Sequence, residues 1–313
     1  MDKPGLLVVG VLPEWDLEAL SRRFTLHLLY EALDRAAFLA QHGPAIRAIA
    51  TKGELGADAA LMDACPGARI IACYGVGVDA IDLAAARARG IAVTNTPGVL
   101  TEEVADMAFA LLLAAARAIP EGDAHVRSGA WARQGPMRLT TRVWGKRLGI
   151  VGLGRIGQAI ARRAEGFGMS IAYSGRTRKD VPYAFHPTPA DLAPHVEILV
   201  VSAAGGAATA GLVDRRAIEA LPPGALFVNV SRGSVVDEAA LIAALQSGRI
   251  AAAGLDVFRN EPAIDPVFAT LPNVVLSPHQ ASATVETRKA MGALMRENLE
   301  AHLDGRPLPT PVA

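Results

Sequence analysis

The stretch Leu148-Gly-Ile-Val-Gly-Leu-Gly-Arg-Ile-Gly157 decides how this chain is read. Gly152, Gly154 and Gly157 stand in the spacing G-x-G-x-x-G. The apolar run Arg147–Val151 before them reads as a strand, and Gly157–Phe167 after them as an amphipathic helix. In that setting the first glycine permits a tight turn, the second lets the backbone approach a pyrophosphate, and the third lets helix and strand pack closely. The phosphates then lie on the free N–H groups of the helix start, in its positive field. Gly152, Gly154, Arg155, Ile156 and Gly157 are therefore candidate dinucleotide contacts. Glycine spacing alone also suits a plain strand-to-helix turn. The strand before it and the helix after it favour the nucleotide.

Outward from this motif, apolar runs of strand length alternate with Ala-rich helical stretches. Strands are expected at Leu6–Val11, Ile46–Ala50, Ile70–Cys73, Ala92–Asn95, Ser170–Tyr173, Ile198–Ser202, Ala225–Val230 and Val274–Leu276. A long helix is expected over Thr101–Ala118, with Glu102 and Glu103 in its first turn and Pro120 as its stop. Further helices are expected near Arg216–Ala220, Glu238–Ser247 and Val285–Leu303. Buried apolar strands alternating with helices imply an α/β fold with parallel sheets covered on both faces. The segment Pro120–Lys146 carries Trp131 and Trp144 without strand pattern and reads as an arm that packs on a partner subunit.

Composition narrows the function classes. The chain has 313 residues, enough for two domains. Charges balance, 31 against 31, so no basic excess points to nucleic acid or a membrane surface. Cys65 and Cys73 read as buried thiols of a reducing compartment. No His or Cys spacing resembles a metal site. The opening residues read as a strand rather than a signal peptide, and the longest apolar run, Met107–Ala116, is too short to span a bilayer. These features point to a soluble cytoplasmic protein.

A dinucleotide fold usually carries an acid about 20 residues beyond its glycine motif, at the end of the next strand. Here that place reads Ser174-Gly-Arg-Thr-Arg-Lys179, with three cationic side chains and no acid. A carboxylate there would repel a 2′-phosphate, whereas a guanidinium pairs with it. Ser174, Arg176 and Thr177 are therefore candidate contacts, and NADPH is favoured over NADH. The plainer alternative is a solvated basic turn.

Three polar groups follow apolar strands, at the rim where open α/β sheets bind ligands. Arg232 follows Val228-Asn-Val-Ser, Glu261 follows Gly254-Leu-Asp-Val-Phe, and His279 follows Val275-Leu-Ser-Pro. Hydride addition to a ketone leaves negative charge on oxygen, and histidine titrates in the range that suits a proton donor. A carboxylate bonded to it, Glu261, would favour the imidazolium and fix its orientation. Arg232 would clamp a substrate carboxylate and polarise the carbonyl. Singly, each residue reads as readily as a structural histidine or a surface ion pair.

With these motifs in order, the chain resembles the D-isomer-specific 2-hydroxyacid dehydrogenases, and within them the glyoxylate/hydroxypyruvate reductases. The resemblance runs through Tyr74-Gly-Val-Gly-Val-Asp79, Val93-Thr-Asn-Thr-Pro-Gly98, the glycine loop, Ser231-Arg-Gly233, Gly254-Leu-Asp-Val-Phe258 with Glu261-Pro262, and Ser277-Pro-His279. It implies Arg232, Glu261 and His279 as the catalytic triad. It implies that the backbone of Val76 and Gly77 holds the substrate carboxylate, as a glycine-rich turn can. Asp256 would meet the nicotinamide amide, and Thr101 would lie near the cofactor. After His279 the chain departs from many relatives, with Gln280 in place of a small residue.

The resemblance also implies two Rossmann-like domains. The substrate-binding domain would comprise residues 1–99 and 284–313, and the dinucleotide domain residues 100–283. A homodimer through the dinucleotide domains would follow. The expected activity is NADPH-dependent reduction of a small 2-keto acid, glyoxylate or hydroxypyruvate, to the D-2-hydroxy acid. The alternatives are a dinucleotide-sensing, corepressor-like scaffold, or a dehydrogenase of the same fold acting on hydroxyphenylpyruvate, formate or phosphite.

Overall fold

The computed structural model describes residues 3–312. The chain divides into two units, with breaks at Leu100/Thr101 and Ala281/Ser282. Both are parallel α/β layers, as the alternation of apolar runs and helical stretches requires.

The first unit holds β1 (Gly5–Val8), α1 (Glu14–Ser21), β2 (Thr25–Leu28), α2 (Arg35–His42), β3 (Ile46–Thr51), α3 (Ala59–Ala64), β4 (Ile70–Cys73), α4 (Leu83–Ala88) and β5 (Ala92–Thr94). Its five strands run in the order β2-β1-β3-β4-β5. The central strands are apolar and buried, as β4, Ile-Ile-Ala-Cys, shows. Asp34, Asp58 and Asp82 cap α2, α3 and α4 by accepting backbone N–H groups at the helix starts.

The second unit begins with α5 (Thr101–Ala116), α6 (Ile119–Arg127) and α7 (Ala130–Gln134). Next come β6 (Arg147–Val151), α8 (Arg155–Gly166), β7 (Ser170–Ser174), β8 (Ala184–His186), α9 (Pro189–Leu192) and β9 (Ile198–Val201). The unit closes with α10 (Arg215–Ala220), β10 (Ala225–Asn229), α11 (Glu238–Gln246), β11 (Ile250–Leu255) and β12 (Val274–Leu276). The last helix, α12 (Val285–Leu303), belongs to the first unit.

The seven strands of the second sheet run β12-β11-β10-β9-β6-β7-β8, all parallel. The chain steps outward from β6 to β8, then returns to β9 on the other side of β6. That reversal is the switch point at which open sheets of this kind take their ligands. Helix α5 lies close on this sheet. A Cβ at Gly254 in β11 would press on the Leu111 backbone at 2.9 Å. Arg162 and Arg163 of α8 pair with Glu102 and Asp106 of α5 and tie the two helices together.

Several local expectations need correction. The first strand spans Gly5–Val8 rather than Leu6–Val11. The long helix ends at Ala116, and Ala118 turns into the left-handed region (φ 50°). Pro120 therefore does not stop that helix but sits in the first turn of α6, where its missing N–H costs nothing. Strands β2 and β8 carry no long apolar run. Both lie on sheet edges and are only partly covered, so their sequences look like loop. Among the described residues, no helix is long and apolar enough to cross a membrane.

Candidate active site

The glycine loop bridges β6 and α8, and two of its three glycines have a structural reason. Gly152 takes φ 92°, and a Cβ there would lie 2.6 Å from the Cα of Ala203. Gly157 faces the Gly152 carbonyl so closely that a Cβ would collide with it, which brings α8 against the strand end. Gly154 is extended (φ −78°, ψ −159°), with open space where a Cβ would stand. Ser202, after β9, donates to the Gly152 carbonyl at 2.9 Å and fixes the turn.

Arg155 and Ile156 open α8, Arg155 exposed and Ile156 half-buried. Thr101 is the first residue of α5 and is half-buried.

At the end of β7, Ser174 is buried, and its hydroxyl has no hydrogen-bond partner among the described residues. A buried hydroxyl without a partner is costly and calls for one. The next residues turn outward. Arg176, Thr177 and Arg178 are exposed, and the Tyr173 hydroxyl pins the far end of the turn by accepting the Lys179 amide at 2.6 Å. An open face over Gly154, an orphaned hydroxyl and an exposed guanidinium side by side suit a phosphorylated dinucleotide. In such a fit the loop amides would hold the pyrophosphate, and Ser174, Arg176 and Thr177 would stand at the adenosine end.

Arg232, Glu261 and His279 follow β10, β11 and β12. The His279 Nδ1 lies 2.6 Å from Glu261 Oε2, and Glu261 Oε1 accepts the Phe258 amide at 2.7 Å. Burial alone would raise the Glu261 carboxyl. The bonds from His279 and Phe258 and the positive charges of His279 and Arg232 outweigh it and hold the group below its ordinary value. The hydrogen bond to Glu261 raises His279 above its ordinary value. The charges of Glu261 and Asp256 act in the same direction, while burial and the charge of Arg232 oppose them. With glutamate ionised, Nδ1 is the donor in this pair, which leaves Nε2 to carry the exchangeable proton.

Gly233 makes the Arg232 loop and the Glu261 loop neighbours. A Cβ there would collide with the Phe258 carbonyl. Asn229 sets the turn that presents Arg232. Its side chain accepts from the Ser231 amide and hydroxyl at 3.0 and 2.8 Å, and donates to the Arg232 carbonyl at 3.1 Å. The Arg232 guanidinium is half-buried and donates to the Ser231 carbonyl at 2.8 Å.

His279 itself has φ 51°, a left-handed backbone that few non-glycine residues adopt. Asp256 holds it there. Its carboxylate accepts from the Ser277 hydroxyl at 2.6 Å and from the amides of Gln280 and Ala281 at 2.9 Å each. Its carbonyl accepts the His279 amide at 2.8 Å. Asp256 is thus buried and engaged with the 277–281 turn, and Gln280 contributes to that turn through its backbone. Sequence reasoning gave Asn229, Ser231 and Ser277 no role of their own, although Ser231 and Ser277 stand in the motifs Ser231-Arg-Gly233 and Ser277-Pro-His279. Nothing in those motifs says which groups the short polar side chains bind.

In the first unit, the turn after β4 has an orderly hydrogen-bond pattern. The Gly75 carbonyl accepts the Thr96 amide at 2.9 Å, the Val76 carbonyl accepts Asn95 Nδ2 at 2.8 Å, and the Gly77 carbonyl accepts the Cys73 thiol at 3.3 Å. The amides of Val76 and Gly77 donate to no acceptor among the described residues. Two successive amides without an acceptor make this turn a candidate anion nest.

This pair of parallel α/β units, one with a phosphate-type loop and a histidine–carboxylate pair, has known counterparts. Residues 109–281 match the family model for the NAD-binding domain of D-isomer specific 2-hydroxyacid dehydrogenases. The chain is 45% identical to glyoxylate/hydroxypyruvate reductase A of Arabidopsis thaliana, with all of both chains covered. It is 46% identical to 2-ketogluconate reductase of Gluconobacter oxydans, with 99% of each covered. Among solved structures, the 2-hydroxyacid dehydrogenase of Ketogulonicigenium vulgare matches with TM-score 0.92 and 54% identity, over 100% of this chain and 99% of that one. The NADPH-dependent glyoxylate/hydroxypyruvate reductase of Sinorhizobium meliloti, solved with NADP and malonate, matches with TM-score 0.92 and 44% identity, over 100% and 97%. The chain belongs to the D-isomer-specific 2-hydroxyacid dehydrogenase family, and its second unit is a domain of the NAD(P)-binding kind.

Proposed function

We propose that this protein reduces a small 2-keto acid, glyoxylate or hydroxypyruvate, to the D-2-hydroxy acid, with NADPH preferred over NADH. The observation that carries the reading is the 2.6 Å pairing of His279 with Glu261 beside Arg232. When bound, the reduced nicotinamide supplies the hydride. His279 holds a proton at Nε2 for the carbonyl oxygen, because Glu261 favours the imidazolium and fixes the ring. Arg232 binds the substrate carboxylate and draws electron density toward the oxygen. The amides of Val76 and Gly77, in the first unit, are the further candidate contacts for a substrate carboxylate.

The cofactor contacts are Thr101, Gly152, Gly154, Arg155, Ile156, Gly157, Ser174, Arg176 and Thr177. Asp256 serves both as a neighbour of the nicotinamide amide and as the brace of the histidine turn. The preference for NADPH is supported by the basic, acid-free turn after β7 and by the NADP named with the Sinorhizobium structure. The substrate class is supported by the names of the relatives. The protein acts as a cytoplasmic homodimer. Its second unit exposes Ile119, Val126, Trp131, Leu139 and Trp144, an apolar set suited to a second copy.

The experiment is NADPH and NADH oxidation against a panel of 2-keto acids, run with wild type, His279→Ala and Glu261→Gln across pH. Loss of the proton donor lowers turnover by about 10²- to 10⁴-fold, with NADPH affinity retained. Equal turnover in the alanine variant removes the donor assignment. The protonated ring is the working form and its folded pKa is raised, so reduction is present below that pKa and lost as pH rises through it. Glu261→Gln removes the main cause of the raised value, so the alkaline limb moves to lower pH. An unmoved limb contradicts the pairing's role.

A further inference from the structure

The nest at Val76 and Gly77 depends on Asn95, and Asn95 depends on the end of the chain. Residues 310–312 lie antiparallel beside β5. The Val312 amide donates to the Val93 carbonyl at 2.8 Å, Thr94 bridges to Pro311, and the Asn95 amide donates to the Thr310 carbonyl at 3.3 Å. The Thr310 hydroxyl donates to the Asn95 carbonyl at 2.6 Å and accepts Asn298 Nδ2 at 2.8 Å. Asn298 is fully buried on α12. Its Oδ1 accepts the Thr310 amide at 3.1 Å, and its Nδ2 also donates to the Leu294 carbonyl at 2.8 Å. A continuous chain of hydrogen bonds therefore runs from Asn298 through Thr310 and Asn95 to the Val76 carbonyl.

We infer that Thr310 is a positioning residue for substrate binding: through Asn95 it fixes the Val76–Gly77 peptide, and so turns the Gly77 amide of the nest toward an anionic ligand. The inference rests on the reading that these amides receive the substrate carboxylate. Its physical content is the two-sided use of one hydroxyl. A threonine hydroxyl that both donates and accepts is held in one orientation, and so are the groups it joins. Without it, Asn95 O and Asn298 Nδ2 each lose a bond in a covered setting, and the strand end that carries Asn95 gains freedom. The Val76–Gly77 peptide, and with it the Gly77 amide, then samples orientations that do not face the anion, and affinity falls by the fraction of time so spent. Every residue in this chain of contacts lies in the first unit, whereas the glycine loop belongs to the second.

The test uses the full-length protein, with oxamate as a non-reacting carboxylate probe, glyoxylate as substrate, and NADPH binding as an internal reference. Thr310→Val keeps the shape and deletes the hydroxyl. It raises the oxamate Kd and the glyoxylate KM by about five-fold, the worth of one net hydrogen bond, while kcat and the NADPH Kd stay at wild-type values. Thr310→Ser keeps the hydroxyl and restores both constants. Asn95→Ala cuts the same path one step nearer the nest, so the double variant Asn95→Ala/Thr310→Val binds oxamate no worse than Asn95→Ala alone. That comparison also decides the matter if Thr310→Val folds poorly.

Unchanged oxamate affinity in Thr310→Val, failure of serine to restore it, equal loss of NADPH affinity, or additive effects in the double variant each overturn the inference. Val76→Pro, which deletes one nest amide, separates this failure from that of the underlying reading. If Val76→Pro binds oxamate like wild type, the nest itself is wrong. If it binds weakly while Thr310→Val does not, only the role of Thr310 falls.

Discussion

Two loops in this molecule are assigned to anions, and they reach that end by opposite routes. The loop at Gly152–Gly157 runs directly into α8, a helix of 12 residues, and stands at the switch point of its sheet. Three glycines within six positions give it its shape, and the helix start supplies N–H groups and positive field. The loop at Gly75–Gly77 has no such helix. Helix α4 begins only at Leu83 and has 6 residues. Its two nest amides belong to peptides whose carbonyls, of Gly75 and Val76, are tied by Thr96 and Asn95, and Asn95 is tied to Thr310. One loop is shaped by its own glycines and the helix adjoining it. The other is tied by Asn95, 19 positions from Val76, and Asn95 in turn by Thr310, 215 positions further along. A locally encoded site breaks when its own residues change, whereas a remotely held one also loosens when a distant support is removed.

The harshest way to break the comparison is Gly157→Ala. A Cβ there meets the Gly152 backbone, which cannot give way without opening the turn. We expect a loss of about 3 kcal/mol, typical of overpacking against rigid backbone, together with loss of dinucleotide binding. Thermal melts of wild type and variant, with and without NADPH, measure both. A variant as stable as wild type would mean that close packing does not set the loop.

Gly154→Ala is the sharper instrument. Gly154 has backbone angles that alanine tolerates and open space on its Cβ side, so stability should hold within about 0.5 kcal/mol. The new methyl stands where a pyrophosphate approaches the backbone. NADPH affinity should therefore fall by about ten-fold or more, the equivalent of at least about 1.4 kcal/mol. Titration of NADPH fluorescence measures it. Unaltered affinity in a stable variant would move the phosphates away from this loop.

The same contrast explains what could be read in the residues alone. The glycine loop was legible because its signal lies within ten consecutive residues and two of its three glycines have a local reason. Arg232, Glu261 and His279 were legible as charged groups following apolar strands, since a parallel sheet delivers its strand ends to one rim. The groups that hold them were not. The clamp of Asp256 on the 277–281 turn and the bonds of Asn229 to the Ser231–Arg232 turn join polar residues whose sequence neighbourhoods are ordinary. Asn298 on the last helix drew no reading from the sequence, yet it is fully buried and bonded to Thr310. Edge strands β2 and β8 escaped notice because partial exposure removes the apolar run that marks a strand. Pro120 misled because the residue that ends one helix is equally at home in the first turn of the next.

The smallest effect tests the remotely held loop at its weakest tie. The Cys73 thiol donates to the Gly77 carbonyl at 3.3 Å, and a thiol is a weak donor. Cys73→Ala should therefore raise the KM for a 2-keto acid by only about two-fold, in line with the second-order worth of such bonds. Cys73→Ser offers a stronger donor of similar size and should match wild type or bind the acid slightly better. Neither variant should alter the Kd for NADPH, because Cys73 lies in the first unit. Steady-state KM and NADPH titration on the three proteins make the measurement. If alanine and serine behave alike, side-chain volume rather than the donated bond matters at Cys73, and the loop loses its one local tie, four residues long. That outcome would leave Thr96 and Asn95, the latter 19 positions from Val76, as the ties that orient the nest amides, and so widen the difference between the two loops.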